Sequence, residues 1–119
     1  IPYDIAQQQG FDKIVVVRTR DAKYRKKPSS RAVKELYHRF YKDYPQFAEA
    51  GINRPLVYNR QITELNRLTN DGMIFDIVPK KPIKIKRVEG NIRKIRKLYE
   101  RGKKECEEYL PQMIAYLEK

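Results

Sequence analysis

Residues 13–19, Lys-Ile-Val-Val-Val-Arg-Thr, constrain this chain more than any other segment. An isoleucine and three valines in succession are β-branched and apolar, without the alternation of a half-exposed strand. Neighbouring strand residues point to opposite faces, so such a run needs cover on both sides, as in the interior of a parallel sheet. A second run, Met73-Ile74-Phe75-Asp76-Ile77-Val78, closes at Pro79 and predicts another strand.

Helical patterns surround these two runs. Tyr3 to Gln9 predicts a helix that Gly10 stops, because glycine accepts the left-handed conformation found after helix ends. A polar, basic connection from Arg20 to Pro28 leads to Ser29 or Ser30, either of which can cap a helix. Val33, Leu36, Tyr37, Phe40, Tyr41 and Tyr44 form one stripe of that helix, which Pro45 is expected to end. A turn around Gly51 then precedes a helix capped by Asn53, carrying Leu56, Ile62, Leu65 and Leu68, and stopped by Asp71-Gly72. After an extended Pro- and Lys-rich connection to Gly90, Asn91 caps the last long helix. Its Ile92, Ile95, Tyr99, Gly102, Cys106 and Tyr109 recur at spacings of 3 and 4, predicting a buried seam. Pro111 is expected to break it, leaving Met113, Ile114 and Leu117 in a final amphipathic turn.

The order helix, strand, helix, helix, strand, helix is that of an α/β fold with parallel strands joined by helical crossovers. Two strands alone make a poor sheet, since open edges and faces forgo burial worth about 1.5–3 kcal/mol for each Val or Ile. Neighbouring strands are therefore expected from polypeptide outside these residues, and the start at Ile1-Pro2 reads as a cut.

Charged residues make up 35% of the chain and the formal net charge is +12, so anionic partners, nucleic acid or anionic lipid, are attracted. Periodic apolar positions argue against a disordered basic tail. One cysteine, Cys106, can form no internal disulfide, which fits a reducing compartment. No uninterrupted apolar run, Ile14 to Val17 included, approaches the roughly 20 residues of a spanning helix. The expected compartment is the cytoplasm, with peripheral attachment to the inner membrane surface.

Ile1-Pro2-Tyr3-Asp4-Ile5-Ala6 and Gly10-Phe11-Asp12-Lys13 through Arg20 resemble the segment after the catalytic aspartate of bacterial patatin-like phospholipases. The likeness continues through Tyr24-Arg25-Lys26-Lys27-Pro28, Tyr44-Pro45, Asn53-Arg54, Tyr58-Asn59, Gly72-Met73-Ile74-Phe75 and Pro79-Lys80-Lys81-Pro82, in the order of that family's C-terminal region. The resemblance implies the C-terminal part of a three-layer α/β fold, with residues 1–28 ending the catalytic core and 29–119 forming a helical region with one further strand. It implies a lipid acyl ester hydrolase in which a Gly-x-Ser-x-Gly serine attacks and an Asp-Gly-Gly or Asp-Gly-Ala aspartate activates it. Neither is here: Ser29 and Ser30 do not lie between glycines, and no glycine-rich oxyanion loop occurs. No catalytic residue, metal or cofactor is assigned to this chain. The implied partners are the N-terminal part of the same polypeptide and a lipid or membrane surface.

Several residues have ordinary roles that outweigh sharper ones. Asn70-Asp71-Gly72 matches two letters of the aspartate motif, but between a helix and a strand Asp-Gly is punctuation. His38 lies off its helix's apolar stripe and reads as solvated. Cys106 on the seam is small apolar packing, and Tyr37, Tyr41, Tyr44 and Tyr99 read as core tyrosines with hydroxyls at the rim.

The basic clusters carry the candidate site. Arg20, Lys23, Arg25, Lys26 and Lys27 follow the first strand, and Lys80, Lys81, Lys84, Lys86 and Arg87 follow the second. Parallel strands would set both on the C-terminal rim of the sheet, where α/β proteins place their sites. Lys23, Arg25, Lys26, Lys27, Lys80 and Lys81 are the candidate contacts to an anionic lipid surface, each worth on the order of 1 kcal/mol and weakening with salt. A solvated basic face is the ordinary alternative. The cations among Arg93 to Lys104 suggest a second basic face, for which a nucleic-acid module is the rival reading, although no base-reading motif is present. A scaffold or dimerisation piece is the third reading, because open strand edges and the last helix's seam favour self-association.

Overall fold

The computed structural model describes residues 1–86 and 88–119, so Arg87 of the second basic cluster lies outside the described residues. Its elements are α1 (Tyr3–Gln8), β1 (Val15–Val17), α2 (Arg31–Phe40), α3 (Pro45–Asn70), β2 (Phe75–Ile77) and α4 (Ile92–Leu117). The chain is a mixed helix and strand protein of α/β type, and its two strands are parallel. It divides into one unit of Ile1 with Arg25–Leu65 and another of Pro2–Tyr24 with Asn66–Lys119.

The first unit holds α2 and most of α3. Ser30 caps α2 by accepting from the Val33 N–H, while the Ser29 hydroxyl donates to the Ile52 carbonyl at 2.8 Å. The apolar stripe of α2 does not become core: no α2 residue is buried, and Phe40 and Tyr44 are mostly exposed. The core residues of this unit come from α3, where Ala48, Ile52, Ile62 and Leu65 are buried.

Two expected boundaries within this unit are overturned. Pro45 is the first residue of α3, a position where its missing N–H costs nothing and its fixed φ suits the helix. Gly51 and Asn53 lie inside α3, which runs unbroken from Pro45 to Asn70 through Pro55. Gly51 is there for space rather than for a turn. A Cβ built on it would stand 2.3 Å from Cε1 of Tyr37, so the bare backbone lets the α2 ring seat against α3.

The second unit carries the sheet. Val15, Val16 and Val17 pair with Phe75, Asp76 and Ile77, and the ladder extends through the Arg18 N–H to the Ile77 carbonyl at 2.9 Å. Both strands are shorter than the expected runs. Val15 and Val16 are half-buried and Val17 is 68% exposed, so the double-sided cover expected of this run is incomplete within the chain. Gly72, at φ +71°, turns the chain out of α3 into β2, the role expected of Asp71-Gly72.

Asn91 caps α4 through the Arg93 and Lys94 N–H groups. Pro111 does not break this helix, which continues to Leu117. Two tyrosines of α4 hold the strand pair. The Tyr116 hydroxyl accepts from Ile14 N and donates to the Met73 carbonyl, and the Tyr109 hydroxyl donates to the Val78 carbonyl. Their rings lie near Phe75, at centroid distances of 5.8 and 6.3 Å. The expected buried seam is overturned: no residue of α4 is buried, Cys106 is only half-buried, and Tyr99 is mostly exposed. Tyr109 of the expected seam does face the strands, joined there by Tyr116.

Candidate functional site

Parallel strands end at the same side of a sheet, so residues 18–24 and 78–86 both leave β1 and β2 at their C-terminal ends. At that rim Lys23 and Lys80 line one cleft with Asp21, Val78, Pro82 and Tyr109. This is the pair of predicted contacts that the fold brings together most directly. Lys81, Lys84 and Lys86 follow on the exposed connection.

Several rim cations are already engaged. Lys80 forms an ion pair with Glu108, whose hydrogen bond raises the lysine pKa while the lysine lowers that of Glu108. Arg20 donates to the Ile83 carbonyl at 3.1 Å and lies over the Tyr24 ring. Arg101 donates to the Lys81 carbonyl and pairs with Glu105. Of the cations that follow the strands, Lys80 and Arg20 thus have partners within this unit.

Arg25, Lys26 and Lys27 belong to the other unit. Arg25 borders a shallow cleft with Asn59, Arg60, Thr63 and Glu64. Lys26 is fixed by a reciprocal amide clamp: its N–H donates to Asn59 Oδ1 and its carbonyl accepts from Asn59 Nδ2, both at 2.9 Å. The Lys26 ammonium sits 4.3 Å from the Tyr58 ring centroid, within cation–π range. Residues far apart in sequence, Lys26 and Tyr58-Asn59, therefore meet. Lys27 is exposed.

The most buried polar cluster was not singled out by sequence. Arg18, just past β1, and Asp76, in β2, form an ion pair with side chains only 4% and 3% exposed. Period-2 alternation puts both on the face of Val16, opposite Phe75. Arg18 Nη2 also donates to Asn66 Oδ1 at 2.7 Å. Burial raises the Asp76 pKa above its ordinary value, and the Arg18 hydrogen bond and charge pull it partly back. Arg18 Nε and Nη1 and Asp76 Oδ1 are buried without a hydrogen-bond partner. The available signal was an aspartate inside an otherwise apolar strand and an arginine directly after the valines. Their pairing depends on strand order and register, which neither segment states alone.

Elsewhere the ordinary readings describe what is seen. His38 is exposed, 3.7 Å from a Glu49 carboxylate oxygen that is itself exposed. Asp71 pairs with Arg67 on the last turn of α3. Among the described residues, no group of histidine, cysteine and acidic side chains could hold a metal ion. No helix among the described residues is long and apolar enough to cross a membrane.

A family model described as Domain of unknown function (DUF6363) matches residues 44–118. No curated protein and no solved structure matches the chain.

Proposed function

The chain belongs to the DUF6363 family, and we propose that it serves as the C-terminal part of a patatin-like lipid acyl hydrolase, completing a three-layer α/β sheet and facing anionic lipid with its basic rim. The serine and aspartate of the reaction would come from polypeptide outside residues 1–119. The observation that carries this reading is the strand pair. β1 has β2 on one edge and no strand on the other among the described residues, and it leaves Val17 largely in solvent. Parallel sheets occur almost only with both faces covered and strands on both sides of their most apolar members. The ordered resemblance from Ile1 to Pro82 names the family that would supply those strands.

The lipid part of the proposal rests on charge. Lys23, Lys81, Lys84 and Lys86 leave the C-terminal ends of the strands on exposed segments, where each cation near an anionic bilayer contributes about 1 kcal/mol. Cosedimentation tests it: the chain should pellet with phosphatidylglycerol vesicles at low salt and be released as salt rises. Equal pelleting with neutral phosphatidylcholine vesicles, or with a Lys23→Ala/Lys81→Ala/Lys84→Ala variant, removes the lipid surface from the reading. The hydrolase part falls if the gene encodes no Gly-x-Ser-x-Gly serine upstream of Ile1.

A further inference from the structure

The 26-residue helix α4 turns one side to the strands through Tyr109 and Tyr116 and leaves another apolar stripe in solvent. Ile92, Ile95, Tyr99, Leu110, Ile114 and Leu117 all count among the exposed large apolar residues, with Ile92 73% and Tyr99 67% exposed. With Gly102 and Cys106 between Tyr99 and Leu110 the row runs at spacings of 3 and 4, the pattern by which helices pack on one another. At its centre is a shallow groove lined by Tyr99, Gly102, Lys103, Cys106, Glu107 and Leu110.

The charges of α4 say what fits there. Every Lys and Arg of the helix lies in 93–104, and three of its four acids, Glu105, Glu107 and Glu108, lie in the following half. Glu105 and Glu108 are paired with Arg101 and Lys80, and a polyanionic partner laid along the groove would meet the Glu107 carboxylate. A second α4 running the opposite way would bring Lys103 of one copy beside Glu107 of the other at the groove, while the basic residues 93–97 would lie along the uncharged stretch 109–117. Reversal about the helix midpoint, between Lys104 and Glu105, maps the groove onto itself. Tyr99 then faces Leu110 of the second copy, Gly102 comes opposite Glu107, and Lys103 comes opposite Cys106, one residue from Glu107, in both directions. Small residues at the crossing allow close approach, and the contact is isologous, so it closes after two subunits.

We propose that α4 is a homodimer interface, packed antiparallel on α4 of a second copy about a two-fold axis near residues 104 and 105. The inference does not depend on the lipid reading above. Sedimentation equilibrium of the chain should show a monomer–dimer equilibrium and no larger species. Lys103→Glu and Glu107→Lys should each weaken the dimer about tenfold, because each puts like charges face to face twice. Mixing the two variants should restore association to the native level, since both cross-pairs become opposite charges again. That recovery also shows that neither variant failed through misfolding. A monomeric native chain over the micromolar range, or self-association that neither variant weakens, overturns the proposal. A mixture no tighter than the separate variants does so too.

Discussion

Arg18 and Asp76 stand side by side on one face of the parallel strand pair and share an ion pair in which each residue is only 8% exposed. Asn66 supplies one further acceptor to the arginine, and three polar atoms of the pair remain unsatisfied. Taking two charges out of water costs several kcal/mol per ion, which their attraction offsets only when the remaining hydrogen bonds are made. The pair therefore ties β1 to β2 specifically, more than it adds net stability.

Removing one partner alone should be costly. Arg18→Met or Asp76→Leu is expected to destabilise the chain by about 3–5 kcal/mol, because each leaves an uncompensated buried charge. The double variant should recover most of that loss or exceed native stability. Urea unfolding of the four proteins measures the cycle, and additive single losses would show the pair to be uncoupled.

Asp76 should titrate above the ordinary aspartate value of 3.8, because burial outweighs the pull of Arg18. Arg18→Met removes that pull and should move the titration further up. The folded state then binds the proton more tightly than the unfolded state. Its contribution is full below the unfolded value and is lost as pH rises through the raised folded value. Carboxyl NMR of the native and Arg18→Met chains checks both directions.

Lys80 and Glu108 should show the opposite sign. The hydrogen bond from Lys80 holds the Glu108 carboxyl below its ordinary 4.5, so what the pair contributes is present above that value and is lost as pH falls through the depressed one. Lys80 is raised above 10.5, so its side of the linkage is lost only when pH climbs through that raised value. Lys80→Ala should return the Glu108 titration towards 4.5, with little change in unfolding midpoint because the pair is at the surface.

Gly51→Ala tests the seat of Tyr37. Within a helix the change is worth up to about 1 kcal/mol in favour of alanine. Here the new methyl would overlap the Tyr37 ring, so a net loss of about 1–3 kcal/mol is expected. A Gly51→Ala/Tyr37→Ala double variant should show no overlap penalty, and thermal unfolding reads the difference.

Local chemistry was legible in residue order. The valine run, the Ser30 and Asn91 caps, the stop at Gly72 and the parallel, helix-linked order of the strands follow from side-chain shape and hydrogen-bonding groups that act within a few residues. The candidate site was partly legible: Lys23 and Lys80, which follow the two strands, line one cleft, whereas Arg25, Lys26 and Lys27 belong to the other unit. The engagement of Lys80 could not be read, because Glu108 reaches it from 28 residues away.

Proline and glycine misled where packing outweighed local preference. Pro45, Gly51 and Pro111 are turn residues by propensity, yet α3 begins at Pro45, where the missing N–H costs nothing, and runs through Gly51, which makes room for the Tyr37 ring, while α4 passes over Pro111. By itself the sequence determined where the two strands lie and that Ser30 and Asn91 cap α2 and α4, since those preferences are settled within one turn of chain. Tertiary structure alone decided that Arg18 meets Asp76, that Tyr116 bridges the strand starts, and that the apolar stripe of α4 faces water. Such outcomes depend on strand register and helix rotation, which couple residues too distant for any local signal to carry.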